Sequence, residues 1–349
     1  MKIYKKADIV IAWNRMPIYA ARSINSIREE LSMDFPVVYT KSKMPISGLE
    51  AILSDHIYCI KYGKSYSWAD LGLKVPTIFF HSGWRYRHFN SLAEEVRSNG
   101  GNVIGLFDNN YRGDIRQILG SIYFKFFYLN KFHSVIVPGR SGQKLAQYFG
   151  IDKKSIHQGL YYADKKIFNR RKKLSSRSKT FLFVGQLVTR KGILEIVEAF
   201  QDFHTSNPDW SLRIIGEGPL KDKIVNKAGV LVENFASSEY ISDAMNDSRF
   251  LVLSSYREHW GVVVHEATSC GCGLILSSSV GAGVDLATPY NSIVISRNSI
   301  ELLSAAMQIA SQKNIKELDF IESNSLSVSL NFSELVWKRS LKRILNTLH

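Results

Sequence analysis

Residues 180–200 read TFLFVGQLVTRKGILEIVEAF, and this stretch decides the fold class of the second half of the chain. The apolar run Thr180–Val184 predicts a buried strand, and the glycine that follows it predicts a turn. Apolar residues then recur at three- and four-residue spacing, which predicts an amphipathic helix. These residues are Ile193, Ile196, Val197, Phe200 and Phe203. A strand, a turn and a helix in this order predict a βαβ unit of a mostly parallel sheet.

The same alternation extends over most of the chain. In the second half, strands are predicted at Leu212–Ile215, Phe250–Leu253 and Gly273–Ser277. In the first half, helix-like segments at Ser91–Asn99 and Ser141–Phe149 alternate with short apolar runs. The runs are Ile9–Ala12, Pro36–Tyr39, His56–Ile60, Thr77–Phe80, Asn102–Leu106 and Ser134–Val137. The sequence therefore predicts an α/β protein with two Rossmann-like domains in tandem.

A polar, basic and serine-rich stretch, KKIFNRRKKLSSRSK at residues 165–179, separates the two halves, and we place the linker at 166–179. We accordingly expect an N-terminal domain over 1–165 and a C-terminal domain over 180–330. Residues 331–349 predict an amphipathic basic helix. This helix can dock on the protein or on an anionic membrane, and docking on the protein is favoured because terminal helices usually cover apolar core.

Charge is distributed unevenly along the 349 residues, whose formal net charge is +14. Residues 1–179 contain 30 Lys and Arg against 13 Asp and Glu, whereas residues 180–349 contain 15 against 18. This asymmetry favours an anionic surface or polyanion as the partner of the first half, with solubility as the simpler alternative. Nucleic acid ranks low as that partner because no nucleic-acid-binding motif is recognised. A hydrophobic content of 45 % excludes a chain that is mainly disordered or mainly a coiled coil.

The cysteines and the hydropathy of the sequence indicate in which cellular compartment the protein is expected. Cys59, Cys270 and Cys272 form neither a zinc nor a redox motif, which fits a reducing cytoplasm. The apolar run Ile9–Trp13 is shorter than a signal-peptide core, and no run approaches the roughly 18 apolar residues of a membrane span. We expect a soluble or peripheral protein. Residues 118–132, ILGSIYFKFFYLNKF, predict a buried helix, which is favoured over a membrane-contact element.

The turn Val184–Gly192 has the pattern of a phosphate site. It places two cations, Arg190 and Lys191, between a strand and a glycine that opens a helix. Backbone N–H groups and the helix dipole at such a turn favour an anion. The turn lacks the dinucleotide-binding and Walker patterns, so two solvated cations on a βα loop remain an alternative.

A second constellation follows the predicted strand Phe250–Leu253 and reads SSYREHWGVVVHEA, residues 254–267. Glu258 lies in the loop at the carboxyl end of that strand, where ligands of doubly wound sheets bind. Glu266 falls about one and a half turns into the helix that begins near Gly261. Carboxylates that accept from hydroxyls would thus flank amides that bind an anion, as a sugar–diphosphate–ribose ligand requires. The alternative is two ordinary surface acids.

This segment resembles the Glu-x7-Glu motif of retaining glycosyltransferases with the GT-B fold, specifically family 4. Leu212–Pro219 is similar to the strand of that family that ends in Gly-x-Gly-Pro, and Gly185–Leu187 with Lys191-Gly192 is similar to Gly-Arg-Leu followed by Lys-Gly. The resemblance covers 180–290 closely. In the first half it is looser and concerns mainly Val75–His81.

The resemblance implies two Rossmann-like domains facing a central cleft, the first binding the acceptor and the second the nucleotide sugar, with a C-terminal helix that returns to the first domain. It implies that Lys191 pairs with the donor diphosphate, that Glu258 holds sugar hydroxyls and that Glu266 accepts from the ribose. It places His81 against the transferred sugar, so that His81 and Glu258 are the implied catalytic residues. An isolated histidine after a buried strand is otherwise a structural residue. The implied donor-binding residues are Gly185, Gln186, Arg190, Lys191, Gly216, His259, Trp260, Gly261, Val262, Val263 and Glu266.

The sequence departs from the family pattern at several positions. Gln186 replaces an arginine that normally joins the lysine on the diphosphate, and we expect Arg190 to compensate from the same loop. His259 replaces a glycine, Asp285 stands where a glutamate is common, and Trp13–Met16 lacks the usual glycine pair. These departures indicate either altered donor choice or lost catalysis.

The resemblance implies a retaining, hexosyltransferase-type enzyme that needs no metal or other cofactor. We expect it to move a sugar from a nucleotide-diphosphate donor to a glycan or lipid-linked glycan, as in O-antigen, lipopolysaccharide or capsule synthesis. The expected location is cytoplasmic, peripheral at the inner face of the cell membrane, with an anionic membrane surface and no nucleic acid as partner. The alternatives are a GT-B nucleotide-sugar epimerase and a non-catalytic nucleotide-sugar-binding or scaffold protein.

Overall fold

The computed structural model describes residues 8–41, 52–53 and 56–348. The chain divides into two compact units, the first reaching to Tyr162 and including the C-terminal segment from Glu334, the second running over Ala163–Ser333. Residues 1–7, which open the N-terminal segment used in the signal-peptide argument, lie outside the described residues.

The first unit is built on a seven-stranded, all-parallel sheet of order β3-β2-β1-β4-β5-β6-β7. Its strands are β1 Ile9–Trp13, β2 Val37–Thr40, β3 Ile57–Ile60, β4 Ile78–Ser82, β5 Asn102–Leu106, β6 Ser134–Val137 and β7 Ile156–Gln158. Its helices are α1 Ile18–Leu31, α2 Arg87–Ser98, α3 Ile115–Phe127 and α4 Arg140–Tyr148. The strand order reverses between β1 and β4, so the carboxyl ends of these two strands form the switch point at which ligands of such sheets bind.

The second unit has a six-stranded, all-parallel sheet of order β10-β9-β8-β11-β12-β13. The strands are β8 Ser178–Val184, β9 Ser211–Ile215, β10 Val230–Glu233, β11 Ser248–Leu253, β12 Gly273–Ser277 and β13 Ser292–Ile295. The helices are α5 Ile193–Ser206, α6 Ser238–Asp247, α7 Val262–Ser269, α8 Gly283–Leu286, α9 Ile300–Ser311 and α10 Ile315–Ser329. The switch point lies between β8 and β11. The prediction of two Rossmann-like α/β domains is confirmed.

The C-terminal helix α11, Glu334–Thr347, covers the core of the first unit. Its apolar face, which includes Trp337 and Ile344, is buried. The Ser340 hydroxyl donates to the Gln158 carbonyl oxygen at 2.6 Å. Glu30 of α1 pairs with Lys338 at 3.3 Å and with Lys342 at 2.6 Å. The favoured prediction, docking on the protein, therefore describes this helix.

The prediction of a buried helix at 118–132 is wrong, because most of the apolar side chains of α3 are exposed. Its N-cap residue Asp114 accepts from the Gln117 amide at 2.8 Å, and the Gln117 side chain donates to the Asn110 carbonyl at 2.7 Å. The buried face consists of Gln117, Ser121 and Phe124. Because polar side chains occupy the inward positions, most of the large apolar side chains of α3 face solvent.

The predicted linker at 166–179 is part of the second unit. The Leu174 amide donates to Glu322 Oε2 at 2.6 Å, and the Arg171 amide donates to Asn246 Oδ1 at 2.8 Å. The Arg177 guanidinium is fully buried and donates to the Cys270 carbonyl at 2.6 Å. A buried guanidinium requires such acceptors, and they come from the second unit. The basic composition of this stretch thus reflects anchoring to the second unit, and the boundary lies at Tyr162 and Ala163.

The cysteines are free thiols, and Cys270 and Cys272 are buried. Burial raises the pKa of the Cys270 thiol to about 12, which makes the thiolate rare at neutral pH. Among the described residues, no helix is both long and apolar enough to cross a bilayer.

Candidate functional site

Two βα turns of the second unit meet at their backbones. The Gly185 amide, which follows β8, donates to the Ile215 carbonyl at the end of β9 at 3.1 Å. A Cβ at Gly216 would lie 1.9 Å from the Gly185 carbonyl oxygen, and a Cβ at Gly218 would lie 2.4 Å from the Leu187 carbonyl oxygen. No side chain fits at either distance. The glycines of the Gly-x-Gly stretch are therefore required by the close approach of the two turns.

The turn after β8 continues into a single turn of 3-10 helix, Thr189–Lys191, and then into α5. Gly192 joins them with a φ of 67°, in the left-handed region that favours glycine. A Cβ at Gly192 would lie 2.3 Å from the Ser254 carbonyl oxygen at the end of β11. The Tyr256 amide also donates to the Arg190 carbonyl at 2.9 Å. These contacts hold the cationic loop against the loop that contains Glu258.

Lys191, Arg190 and Glu258 form one charged cluster. The ammonium of Lys191 is in hydrogen-bond contact with Glu258 Oε2, and Arg190 Nη1 lies 3.6 Å from the same oxygen. Lys191 is only 7 % exposed. Burial lowers the pKa of Lys191, and the attraction of Glu258 opposes that shift. Lys191 is thus a buried cation held by a carboxylate, which excludes the alternative of a solvated surface cation for this residue.

Arg190 lies beside the position at which the sequence departs from the family pattern. Its Nη2 donates to Gln186 Oε1 at 3.0 Å, and its Nη1 donates to the Arg257 carbonyl at 3.4 Å. The side chain is half-exposed. The structure thus brings a guanidinium to Gln186 from four residues along the same loop.

The loop that contains Glu258 is hydrogen-bonded to the segment after β12. The Gly281 amide donates to the Glu258 carbonyl at 3.2 Å, and the Ala282 amide donates to the Trp260 carbonyl at 2.8 Å. Gly261 has a φ of 90°, and a Cβ there would lie 3.1 Å from Glu258 Cγ. Glycine at 261 therefore lets α7 begin directly beside the carboxylate. Val262 and Val263 form the half-buried first turn of α7, and the half-buried Glu266 follows on the same helix.

Two predicted donor-binding residues have different surroundings. The Trp260 side chain is 2 % exposed, and its ring lies 5.3 Å from the Phe332 ring. Its indole is part of the packing of the second unit. His259 is half-buried, and its Nδ1 has no hydrogen-bond partner among the described residues. Of these two side chains, only His259 retains partial access to solvent.

His81 lies in the core of the first unit. Its ring is fully buried in β4 and lies 5.3 Å from Phe79, 6.0 Å from Phe89 and 5.4 Å from Phe132. Burial lowers the pKa of His81 to about 3, so the imidazole is neutral at physiological pH. The cavity beside it has a volume of about 40 Å³, far below that of an ordinary ligand pocket. This position fits the structural interpretation of His81, and its contact with the transferred sugar stays a prediction.

Two residues with supporting roles were missed in the sequence. Asn298 follows β13 and accepts from the Ser254 hydroxyl, and a Cβ at Gly192 would lie 2.6 Å from its side-chain nitrogen. His265 accepts from the Ala163 amide at 2.9 Å through Nδ1, and its Nε2 lies 3.1 Å from the Ser329 carbonyl oxygen. The position of Asn298, a polar residue shortly after a strand, could have identified it as a residue of the site. For His265 the sequence contained no signal, because its partners are distant backbone groups.

The cluster combines two cations, one carboxylate and a helix start within a few ångströms. Such an arrangement can bind an anion at the cations and the amides of α7, and hydroxyl groups at the carboxylate. Within residues 8–41, 52–53 and 56–348, no group of three or more His, Cys, Asp or Glu could hold a metal ion.

Comparison with known proteins gives matches to glycosyltransferases. Residues 164–325 match the family model described as "Glycosyl transferases group 1". An uncharacterised glycosyltransferase of Methanocaldococcus jannaschii is 29 % identical over 126 residues, 34 % of either chain. A GDP-mannose:cellobiosyl-diphosphopolyprenol alpha-mannosyltransferase of Xanthomonas campestris is 24 % identical over 181 residues, 49 % of this chain and 47 % of the relative. The chain therefore spans about a third to a half of the length of these relatives.

Solved structures match over nearly the whole chain. The Anabaena protein HepE, solved in complex with UDP, superposes with a TM-score of 0.75 at 12 % identity over 97 % of this chain and all of its own. At this identity the likeness concerns the fold alone. The chain therefore has the two Rossmann-like units of the GT-B fold, and its residues 164–325 are similar to the glycosyl transferases group 1 model.

Proposed function

We propose that the protein is a glycosyltransferase that moves a sugar from a nucleoside-diphosphate donor to an acceptor hydroxyl. The observation that carries the proposal is the cluster of Lys191, Arg190 and Glu258 at the switch point of the second sheet. The family match over 164–325 spans this cluster.

In this reaction the bond between the sugar and the diphosphate breaks, the acceptor oxygen forms a new bond to the sugar, and the acceptor proton is released. Negative charge grows on the departing diphosphate. Lys191, Arg190 and the amides at the start of α7 provide preorganised positive potential for that charge. Glu258 accepts from sugar hydroxyls, and Glu266 accepts from the ribose. By resemblance to family 4, the transfer retains the anomeric configuration of a hexose, and it requires no metal.

We further propose a lipid-linked glycan as the acceptor, in the assembly of a surface polysaccharide such as O-antigen, lipopolysaccharide or capsule. The Xanthomonas relative is named for a diphosphopolyprenol-linked acceptor, which supports this class. The enzyme would then act at the cytoplasmic face of the cell membrane, and the basic first half of the chain suits an anionic surface.

Two other functions have the same fold and would bind the same donor. A nucleotide-sugar epimerase would convert the donor without an acceptor, whereas a scaffold protein would bind the donor without turnover. Departures from the family pattern, such as Gln186 and His259, favour the scaffold protein only if Arg190 and Lys191 do not bind the diphosphate. The hydrogen bond from Arg190 to Gln186 keeps a second cation beside Lys191, which supports donor binding in all three functions.

A panel of nucleotide sugars tests the proposal. A ligand that binds only the folded state raises the melting temperature by mass action, so one or a few donors should stabilise the protein. With that donor, we expect sugar transfer to a polyprenol-diphosphate-linked glycan, and product NMR should show the anomeric configuration of the donor. Conversion of the donor without acceptor would instead indicate an epimerase, and stabilisation without any turnover would indicate a binding protein.

A further inference from the structure

Helix α3 presents an apolar stripe to solvent. Five side chains, spaced by three or four residues, form one outward face: Ile115, Ile118, Leu119, Ile122 and Phe126. Phe126 is 80 % exposed. Tyr123 and Phe127 are also exposed and widen the stripe along one side. Scattered apolar residues are normal on protein surfaces, but a contiguous face of this kind marks an interaction site.

The orientation of the helix is fixed from inside the unit. Gln117 donates to the Asn110 carbonyl at 2.7 Å, and its Oε1 accepts from the amides of Arg112 at 2.7 Å and Gly113 at 3.1 Å. Phe124 packs in the core 4.8 Å from the Phe149 ring. Rotation that buried the stripe would break these contacts and expose Phe124. The apolar face is therefore a stable part of the fold.

Basic side chains border this stripe on both sides. On the helical projection Lys125 lies at one flank of the five-residue stripe and Arg116 lies at the other, between Tyr123 and Phe127, and both cations are exposed. On the Tyr123 side, the Arg85 guanidinium lies 4.8 Å above the Trp84 ring, which is 6.3 Å from Tyr123. Two carboxylates of the same unit are already paired with other cations, Asp114 with Arg112 at 2.9 Å and Glu94 with Lys131 at 3.6 Å.

We propose that the exposed face of α3 is a membrane-docking surface that inserts its apolar stripe between the lipids of an anionic bilayer. An apolar face bordered by cations has the chemistry of an interfacial helix, in which acyl chains cover the stripe and anionic headgroups pair with the rim. The occupant is a lipid surface rather than a second copy of the chain, because a copy would bring the cations of one rim against those of the other. The proposal deepens the membrane location given in the proposed function and rests on it in that respect, but the observations on α3 are independent of glycosyl transfer.

Co-sedimentation with vesicles of equal parts phosphatidylglycerol and phosphatidylcholine tests the proposal. The test variant changes Leu119, Ile122 and Phe126 to serine, which leaves the net charge intact. The matched control changes Ile315, Phe320 and Leu330 of the second unit to serine, since these residues are also exposed and apolar. We expect the α3 variant to bind at least tenfold more weakly than the wild type and the control variant to bind unchanged.

The rim is tested separately by Arg116→Gln with Lys125→Gln. These changes should weaken binding at about 0.15 M salt and have little effect at about 1 M, where exposed charges are screened. Because the altered side chains of α3 point to solvent, melting temperatures should stay close to that of the wild type. Should the triple variant fail to fold, Phe126→Ser alone is to be compared with Phe320→Ser.

Three results would overturn the proposal: no sedimentation of the wild type with anionic vesicles, equal sedimentation of the α3 variant, or a wild-type dimer that the α3 variant dissociates without any vesicle binding. Donor-induced thermal stabilisation of the same variants is measured in parallel. It reports on the second unit, so a failure of the proposed glycosyltransferase function and a failure of the docking surface are distinguishable.

Discussion

Replacement of Lys191 by methionine separates donor binding from folding. Methionine keeps most of the side-chain volume but removes the ammonium beside Glu258, and the arginine that remains near this carboxylate, Arg190, lies 3.6 Å away and is half-exposed. Removing one member of a buried pair costs about 3–5 kcal/mol of unfolding free energy. The remaining arginine and the 13 % exposure of the Glu258 side chain reduce that cost to about 1–3 kcal/mol.

Donor affinity should fall more than this loss of stability explains. A charge-assisted contact between a buried ammonium and a phosphate contributes about 1.5–3 kcal/mol, which corresponds to roughly ten- to hundredfold weaker binding of a nucleoside diphosphate. Arg190→Gln is the matched control from the same loop. Because Arg190 is half-exposed, we expect its loss to weaken binding less than about fivefold.

The decisive variant is Lys191→Met combined with Glu258→Gln, because it removes both buried charges. Its unfolding free energy, measured by urea denaturation, should return to within about 1 kcal/mol of the wild type, since no uncompensated charge remains. Its affinity for the nucleoside diphosphate, measured by isothermal titration calorimetry, should stay as low as that of Lys191→Met. Wild-type affinity in either lysine variant would refute the assignment of Lys191 to the diphosphate.

Three further predictions concern pH, the C-terminal helix and metal. Burial lowers the pKa of His265 to about 4, so the unfolded chain takes up a proton that the folded one does not as pH falls from about 6.5 to 4. Unfolding free energy should drop by up to about 3 kcal/mol from this group, and urea denaturation of His265→Gln should show a correspondingly shallower pH dependence. Glu30→Gln removes a carboxylate that pairs with Lys342 and Lys338, of which Lys338 keeps Glu334 at 2.6 Å, and should speed hydrogen exchange in α11 at a cost of about 1 kcal/mol or less, whereas exchange in Glu29→Gln should match the wild type. Sugar transfer should persist in excess EDTA, and a rate lost with chelator and regained with Mn²⁺ would contradict the metal-free proposal.

Ten of the thirteen strands in the described part of the chain could be predicted from the sequence, because each of these ten leaves a local apolar signal. The edge strands β7, β10 and β13 were not predicted, because they are short and partly exposed. A parallel strand is covered on both faces, so it reads as a continuous apolar run such as Ser134–Val137 or Gly273–Ser277. The loops of the candidate site could also be predicted, because glycines mark the turns before their helices. Gly192 and Gly261 have a positive φ, and the residues that follow them start α5 and α7.

Helix α3, His81 and the basic stretch before β8 were not predictable in this way. The apolar pattern of α3 identifies a helix, but the bonds of Gln117 decide which face turns inward, and their partners lie in the preceding loop. His81 follows a strand like a ligand residue, yet its ring is enclosed by Phe89 and Phe132 from other elements. Arg177 reads as a solvated linker residue until its buried carbonyl partners are known. Each outcome depends on tertiary contacts that leave no periodic pattern.

Charge balance at the second switch point argues for an exchange of partners when a donor binds. In the structure, Glu258 neutralises Lys191 and lies near Arg190. A sugar nucleotide brings one negative charge on each phosphate, and a carboxylate that stayed between the cations would repel it. If the proposed function is correct, the hydroxyls of the donor sugar would offer Glu258 new hydrogen bonds at that moment, and Lys191 would then be released for the diphosphate. On this argument the lysine and the glutamate form a single recognition device, in which the sugar strengthens the binding of the phosphates to which it is attached.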